Sequence, residues 1–220
     1  LNLSIPNTFY LIGLKSKNID AYGGSIPGAP GLIIGHNKDI SWGFTNAALA
    51  QSDVYYDSNI EPTTIRHEII KVKGKPDVKI ICRESDYGAI VSPEGADLDI
   101  ALRWVAMDPI DTTIDGIMLL NHATNLQEAK VALERFHAPA QNAIVTTRSG
   151  DIGLYASGSV PVRSYSGRVA VPALKAYSWQ GYIPKKELPY VENPKRGYVA
   201  NANNHTVSDH YGYNLSRLGF

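Results

Sequence analysis

Ile40-Ser41-Trp42-Gly43-Phe44-Thr45-Asn46 reads as a β-strand, opened by the polar turn His36-Asn37-Lys38-Asp39. Strand-length apolar runs continue on either side of it. Residues 9–14 and 31–34 are such runs, joined by the rigid, turn-rich connector Ser25-Ile26-Pro27-Gly28-Ala29-Pro30-Gly31. Residues 52–56 extend the pattern. Residues 65–73 and 78–84, rich in β-branched side chains, flank Gly74-Lys75-Pro76-Asp77 and predict a hairpin with a four-residue loop.

One segment reads firmly as helix. Thr124 and Asn125 precede Leu126, Ala129, Val131, Ala132, Leu133 and Phe136, with Gln127 and Glu128 at capping-box spacing from the two candidate caps. A shorter helix is expected to begin near Asp111-Thr112 and to bury Ile114, Ile117 and Met118. Strands return at 142–147 and 152–156 around the turn Gly150-Asp151. Residues 157–194, rich in proline and aromatics, read as ordered loop with short strands. Trp42 and Trp104 are expected in the core. No repeat, low-complexity tract or linker divides the 220 residues, so a single domain is expected.

Composition narrows the function. Hydrophobic residues make up 44% and charged residues 19%, ordinary for a globular chain that can bury a core. Lys+Arg and Asp+Glu balance at 21 each, so nothing argues for nucleic acid or an anionic surface. No run approaches the ~18 apolar residues of a membrane span, and no membrane partner is expected. The lone Cys82 excludes an internal disulfide and a cysteine-based zinc site, and its strand setting reads as an inert thiol. The opening Leu1-Asn2-Leu3 lacks an initiator Met and any signal-peptide pattern, and reads as the inside of a longer polypeptide.

Most catalytic patterns fail. The histidines at 36, 67, 122, 137, 205 and 210 match no zinc motif, and His205, Asp209 and His210 read as a solvated cluster. A Gly-x-Ser-x-Gly elbow, a Walker loop and a dinucleotide-binding glycine motif are absent from the sequence. Gln141-Asn142 reads as a pair of amides that satisfy backbone groups where a helix hands over to a strand. One stretch remains without a core-filling rationale. Gly197-Tyr198-Val199-Ala200-Asn201-Ala202-Asn203-Asn204 carries three asparagines, which are costly to bury unless their amides are hydrogen-bonded. Either they tie down an irregular loop or they present donors to a ligand.

Taken in order, these pieces resemble the penicillin acylase (penicillin amidase) family of N-terminal-nucleophile hydrolases. The matching stretches are residues 25–31, 35–46, Leu102-Arg103-Trp104, Phe136-His137-Ala138-Pro139-Ala140-Gln141-Asn142, Gly150-Asp151-Ile152-Gly153, Gly181-Tyr182-Ile183-Pro184 and residues 193–204. The resemblance runs over nearly the whole chain. It implies an α+β fold, part of a four-layer αββα sandwich with mostly antiparallel sheet and few helices. It also implies hydrolysis of the amide between an acyl group and an amine, by an N-terminal Ser whose own α-amine is the base. A free α-amine suits that task, because its pKa of about 7.7–8 lies near the working pH. The position of that Ser falls upstream of Leu1, so this chain corresponds to a large-subunit piece in which Ser4 is not the nucleophile.

The resemblance further implies an oxyanion hole made by the Asn203 side chain and the Asn46 backbone N–H, with Asn201 and Asn204 shaping the loop. Ile34 and Phe44, with Leu1 beside them, match acyl-pocket positions and suggest an apolar acyl group. Of the family's calcium ligands, Asp53 is kept, whereas the flanking positions are Ala50 and Asn214. With two charges lost, tight calcium binding is not expected and no cofactor is required. The implied partners are an N-acyl amide substrate and a small subunit cut from the same precursor, in a periplasmic or extracellular setting. An acylase for N-acyl homoserine lactones, or a non-catalytic amide-binding member, is the alternative reading.

Overall fold

The computed structural model describes residues 7–204, 206–208 and 210–215. In chain order the strands are β1 (Tyr10–Lys15), β2 (Asp20–Ser25), β3 (Ile34–His36), β4 (Ile40–Asn46), β5 (Ser52–Asp57), β6 (Thr64–Ile70), β7 (Val78–Ser85), β8 (Gly88–Ile90) and β9 (Asp99–Trp104). Two helices follow, α1 (Thr113–His122) and α2 (Leu126–Leu133). They lead to β10 (Gln141–Thr147), β11 (Ile152–Ser157), β12 (Val171–Pro172) and β13 (Tyr190–Glu192). Among the described residues these strands build a seven-stranded sheet, β1-β2-β3-β4-β10-β11-β13, and a six-stranded sheet, β12-β5-β9-β8-β7-β6. Every pairing is antiparallel except β12 with β5. This is the mostly antiparallel α+β architecture expected.

The main core lies between the helices and one face of the seven-stranded sheet. Ile40 and Trp42 of β4, Ala143 and Val145 of β10 and Tyr155 of β11 meet Ile117, Leu120, Ala129, Ala132 and Leu133. Alternation along β4 does this, since residues two apart share a face. A second core of Tyr55, Ile60, Ile90, Ala101 and Val171 belongs to the six-stranded sheet, and Val160, Ile183, Leu188 and Leu215 form a third.

Helix α2 begins as its capping residues dictate. Asn125 Oδ1 accepts the Glu128 N–H at 2.9 Å, and Glu128 Oε2 accepts from the Thr124 N–H and hydroxyl at 2.8 and 2.9 Å. These bonds, the backbone one first, hold the Glu128 carboxyl below the usual range. The helix stops at Leu133, three residues short of Phe136, although Phe136 is still buried.

Helix α1 buries Ile117 as expected, but the rest of its inward face differs. Gly116, Ile117, Leu120 and Asn121 are buried, while Ile114 and Met118 are exposed. Gly116 sets this rotation: a Cβ there would lie 2.8 Å from the Ala132 carbonyl oxygen and from the Phe136 ring. The run 31–34 also departs from the strand reading, because Asn121 intervenes. Its Oδ1 accepts the Leu32 N–H at 2.7 Å and its Nδ2 donates to the Leu32 oxygen at 2.9 Å, so a side chain replaces a ladder partner. The β6–β7 loop runs from Lys71 to Asp77, longer than four residues, and those two side chains pair at 2.6 Å. Trp104 is 46% exposed, against the core position expected, whereas Trp42 is buried and donates to the Ile33 oxygen at 3.0 Å.

Candidate functional site

Strand β4 sets the geometry. It lies between β3 and β10, and alternate peptides face alternate neighbours. The Ala47 N–H donates to Ala140 across the β10 side, and the Ile40 oxygen accepts from Asn37 on the β3 side. Even-numbered residues of β4 therefore direct their N–H and C=O toward β3. That strand's last pairs with β4 are Gly35 with Trp42 and His36 with Ser41, so the Asn46 peptide lies past the end of the ladder.

The loop 201–204 comes in at that place. Asn203 Nδ2 donates to the Asn46 main-chain oxygen at 2.5 Å, across 157 positions. Asn203 holds a left-handed φ of 62°, a conformation asparagine tolerates better than most residues. Asn46 closes its own turn, its Oδ1 accepting the Ala48 N–H at 3.0 Å, and Ala48 follows at φ 52°.

Asn201 organises the loop. Its Oδ1 accepts from Thr45 Oγ1 at 2.5 Å, from Asn142 Nδ2 at 3.2 Å and from the Asn203 N–H at 3.0 Å. Asn142 is 2% exposed and pairs in register with Thr45, so both side chains rise from the same sheet face to meet Asn201. Its Nδ2 also lies 3.5 Å from the Asn46 oxygen. Asn201 Nδ2 is buried with no hydrogen-bond partner among the described residues. Asn204 Oδ1 accepts the Ala202 N–H at 3.0 Å, a local turn bond.

The structure thus brings Asn46, Asn201 and Asn203 together, and adds Asn142 and Thr45. Asn142, expected to satisfy a local backbone group, serves the side chain of Asn201 59 positions away. The acyl-pocket positions are not brought together. Ile34 shares a face with Ser41, through His36, and is exposed, while Phe44 shares the Trp42 face and packs on Phe136 with ring centroids 5.5 Å apart. They lie on opposite faces of the sheet. Leu1, His205 and Asp209 lie outside the described residues, as does Ser4.

Asp53 sits elsewhere, on β5. Its Oδ2 accepts from Arg163 Nε at 2.6 Å and Trp179 Nε1 at 2.5 Å. A further polar chain ties residues 136–140 to the neighbouring loops. Asp108 receives Tyr182, Arg103 and His137, and His137 Nδ1 lies 2.7 Å from Ser159 Oγ. Lys185 donates to Ser159 Oγ at 2.9 Å and to the Phe136 oxygen, and burial lowers its pKa to about 8. Burial first and then the Asp108 carboxylate push the Tyr182 phenol up, which keeps it a donor. No group of three or more His, Cys, Asp or Glu suited to a metal occurs among the described residues.

A sequence profile of the penicillin amidase family matches residues 1–219. The acyl-homoserine lactone acylase QuiP of Pseudomonas aeruginosa is 27% identical, the match covering 98% of this chain and 29% of that protein. The penicillin acylase 2 proenzyme of a Pseudomonas species is 26% identical over 93% of this chain and 29% of its own length. The chain therefore spans less than a third of these relatives. In fold it is similar to a thermostable penicillin G acylase from Alcaligenes faecalis, with a TM-score of 0.81 and 21% identity, over 93% of this chain and 40% of that one. With its family profile matched almost end to end, the chain belongs to the penicillin amidase family.

Proposed function

We propose that this chain carries the oxyanion-binding part of an acylase that cleaves the amide bond between an acyl group and an amine. The observation that supports this most is the seat of the Asn203 amide on the Asn46 peptide, beside the Asn46 N–H. In this reading the nucleophile is an N-terminal Ser, Thr or Cys from a segment upstream of Leu1. Its hydroxyl or thiol attacks the substrate carbonyl while its α-amine takes the proton. The carbonyl oxygen then becomes an oxyanion, and Asn203 Nδ2 and the Asn46 N–H donate to it. Collapse breaks the C–N bond as the α-ammonium returns its proton to the departing amine, and water then hydrolyses the acyl-enzyme to the carboxylic acid and the free nucleophile.

Asn203 stabilises the charged oxygen more than the neutral carbonyl, because hydrogen bonds to an ionised acceptor are roughly twice as strong. The gain is thus made in the transition state, where it accelerates the reaction. Thr45, Asn142 and Asn201 hold the loop so that little reorganisation is needed at that moment. Ile34, on the exposed face, is the pocket position this reading keeps for an apolar acyl group; Phe44 is committed to the helix-side core.

Two substrate classes compete: a penicillin-type amide and an N-acyl homoserine lactone, the latter named in the QuiP relative. The longer polypeptide containing this chain is to be incubated with a phenylacetyl amide and a long-chain acyl homoserine lactone, and amine release followed. Turnover of one of them supports the reading. No release from either, by a correctly processed protein with a free N-terminal nucleophile, contradicts it and favours a non-catalytic amide-binding member.

A further inference from the structure

Asp53 and Arg163 form an ion pair with side chains 1% and 0% exposed. Such a pair is costly to bury unless its remaining hydrogen-bonding groups are satisfied. On the arginine side they are. Nε donates to Asp53 Oδ2 at 2.6 Å, Nη2 to the Ala50 main-chain oxygen at 2.8 Å and Nη1 to the Pro161 oxygen at 3.3 Å. Trp179 closes the site, donating to Asp53 Oδ2 while its ring lies 5.5 Å from the Arg163 guanidinium and 5.1 Å from that of Arg103.

Residues 50 and 53 are two of the positions at which the family pattern expects calcium ligands, and they do not fit the ion here. A hard cation wants six or more oxygens, and this set offers a single carboxylate. Both the Ala50 oxygen and the Asp53 carboxylate are already bonded to one guanidinium, so a calcium ion would sit against a fixed positive charge. Asp53 Oδ1 has no hydrogen-bond partner among the described residues. Its charge is felt by the Tyr165 phenol, which burial and the Tyr55 hydroxyl already push up.

We propose that Arg163 is a built-in structural cation that takes the place of a metal, clamping the β4–β5 connection and the start of β5 to the 161–163 loop without calcium. A guanidinium suits this work because its planar fork donates in several fixed directions, whereas an ammonium cannot. The clamp acts on stability and needs no assumption about the reaction catalysed.

Terbium, whose luminescence is sensitised by a nearby indole, is a direct probe, because Trp179 already touches Asp53. Up to about 1 mM, the weak end of protein calcium sites, the chain is expected to show no saturable terbium signal displaced by calcium. Its thermal midpoint is expected to be the same in calcium and in EDTA. Arg163→Gln is expected to lower the midpoint by about 10 °C in both conditions, as breaking a buried pair should in a chain of this size. Arg163→Lys should recover part of the loss. A calcium-displaceable terbium signal from the unaltered chain, or a midpoint that falls in EDTA and returns with calcium, would overturn the proposal. So would an Arg163→Gln variant as stable as the parent. Should that variant not fold, the two measurements on the unaltered chain still decide.

Discussion

Asn203 and Asn46 meet across 157 positions, the side-chain amide of the first donating to the main-chain oxygen of the second at 2.5 Å. The contact exists because β3 stops pairing with β4 after Trp42, leaving the Asn46 peptide to a loop. The remaining expectations concern what supports that loop and the sheet beneath it.

Asn142→Leu is expected to destabilise the chain by about 1–3 kcal/mol, the cost of leaving buried polar partners unsatisfied. Asn142 is buried, and its Nδ2 serves Asn201 Oδ1. Urea unfolding measures this. An unchanged midpoint would show that Thr45 and the Asn203 N–H hold Asn201 unaided.

Asn121→Leu removes both bonds to the Leu32 peptide, leaving a buried N–H and C=O without partners. A loss of at least about 2 kcal/mol is expected. Hydrogen exchange at the Leu32 amide should also speed up, and protection equal to the parent's would contradict the assignment.

Gly116→Ala tests the helix packing against propensity. Alanine favours a helix by about 1 kcal/mol over glycine. The added Cβ, however, would meet the Ala132 carbonyl oxygen at 2.8 Å, and backbone yields little. Net destabilisation of about 1–3 kcal/mol is expected from overpacking; net stabilisation would show that α1 shifts freely on α2.

Lys185 gives a pH dependence with a definite sign. Its folded pKa is depressed by burial to about 8, below the unfolded value, so the unfolded state holds the proton more tightly. Its contribution therefore lowers stability below pH 8 and is relieved as pH rises from about 8 toward 10.5, at up to about 1.4 kcal/mol per unit. The slope difference between the parent and Lys185→Met over this window isolates the group. A Lys185→Met profile parallel to the parent's would contradict a lowered pKa.

Much of the architecture was legible locally. Alternation in residues 40–46 gives β4, and Asn125 with Glu128 places the start of α2. What escaped depends on distant partners. Asn142 finds Asn201 59 positions away, Arg163 finds Asp53 110 positions away, and Asn121 displaces a strand partner 89 positions from itself. The inward face of α1 departs from its apolar spacing at Ile114 and Met118, because spacing cannot show that a glycine is the point of closest approach. Ile34 and Phe44 are both apolar in sequence, and only the register puts them on opposite faces. The pairing of Asn203 with Asn46 came from the family resemblance, since no local period links positions so far apart.

The most direct test of the central claim is the kinetics of Asn203→Ala in the complete, processed enzyme with an amide substrate it turns over. Loss of a transition-state donor should lower kcat by roughly 10²–10³ while KM changes little. The variant should still fold, its thermal midpoint lowered by only a few degrees, because alanine at a φ of 62° and the lost bond to Asn46 cost about 1–2 kcal/mol. A kcat within about threefold of the parent, or a loss confined to KM, would contradict the assignment of Asn203 to the oxyanion hole.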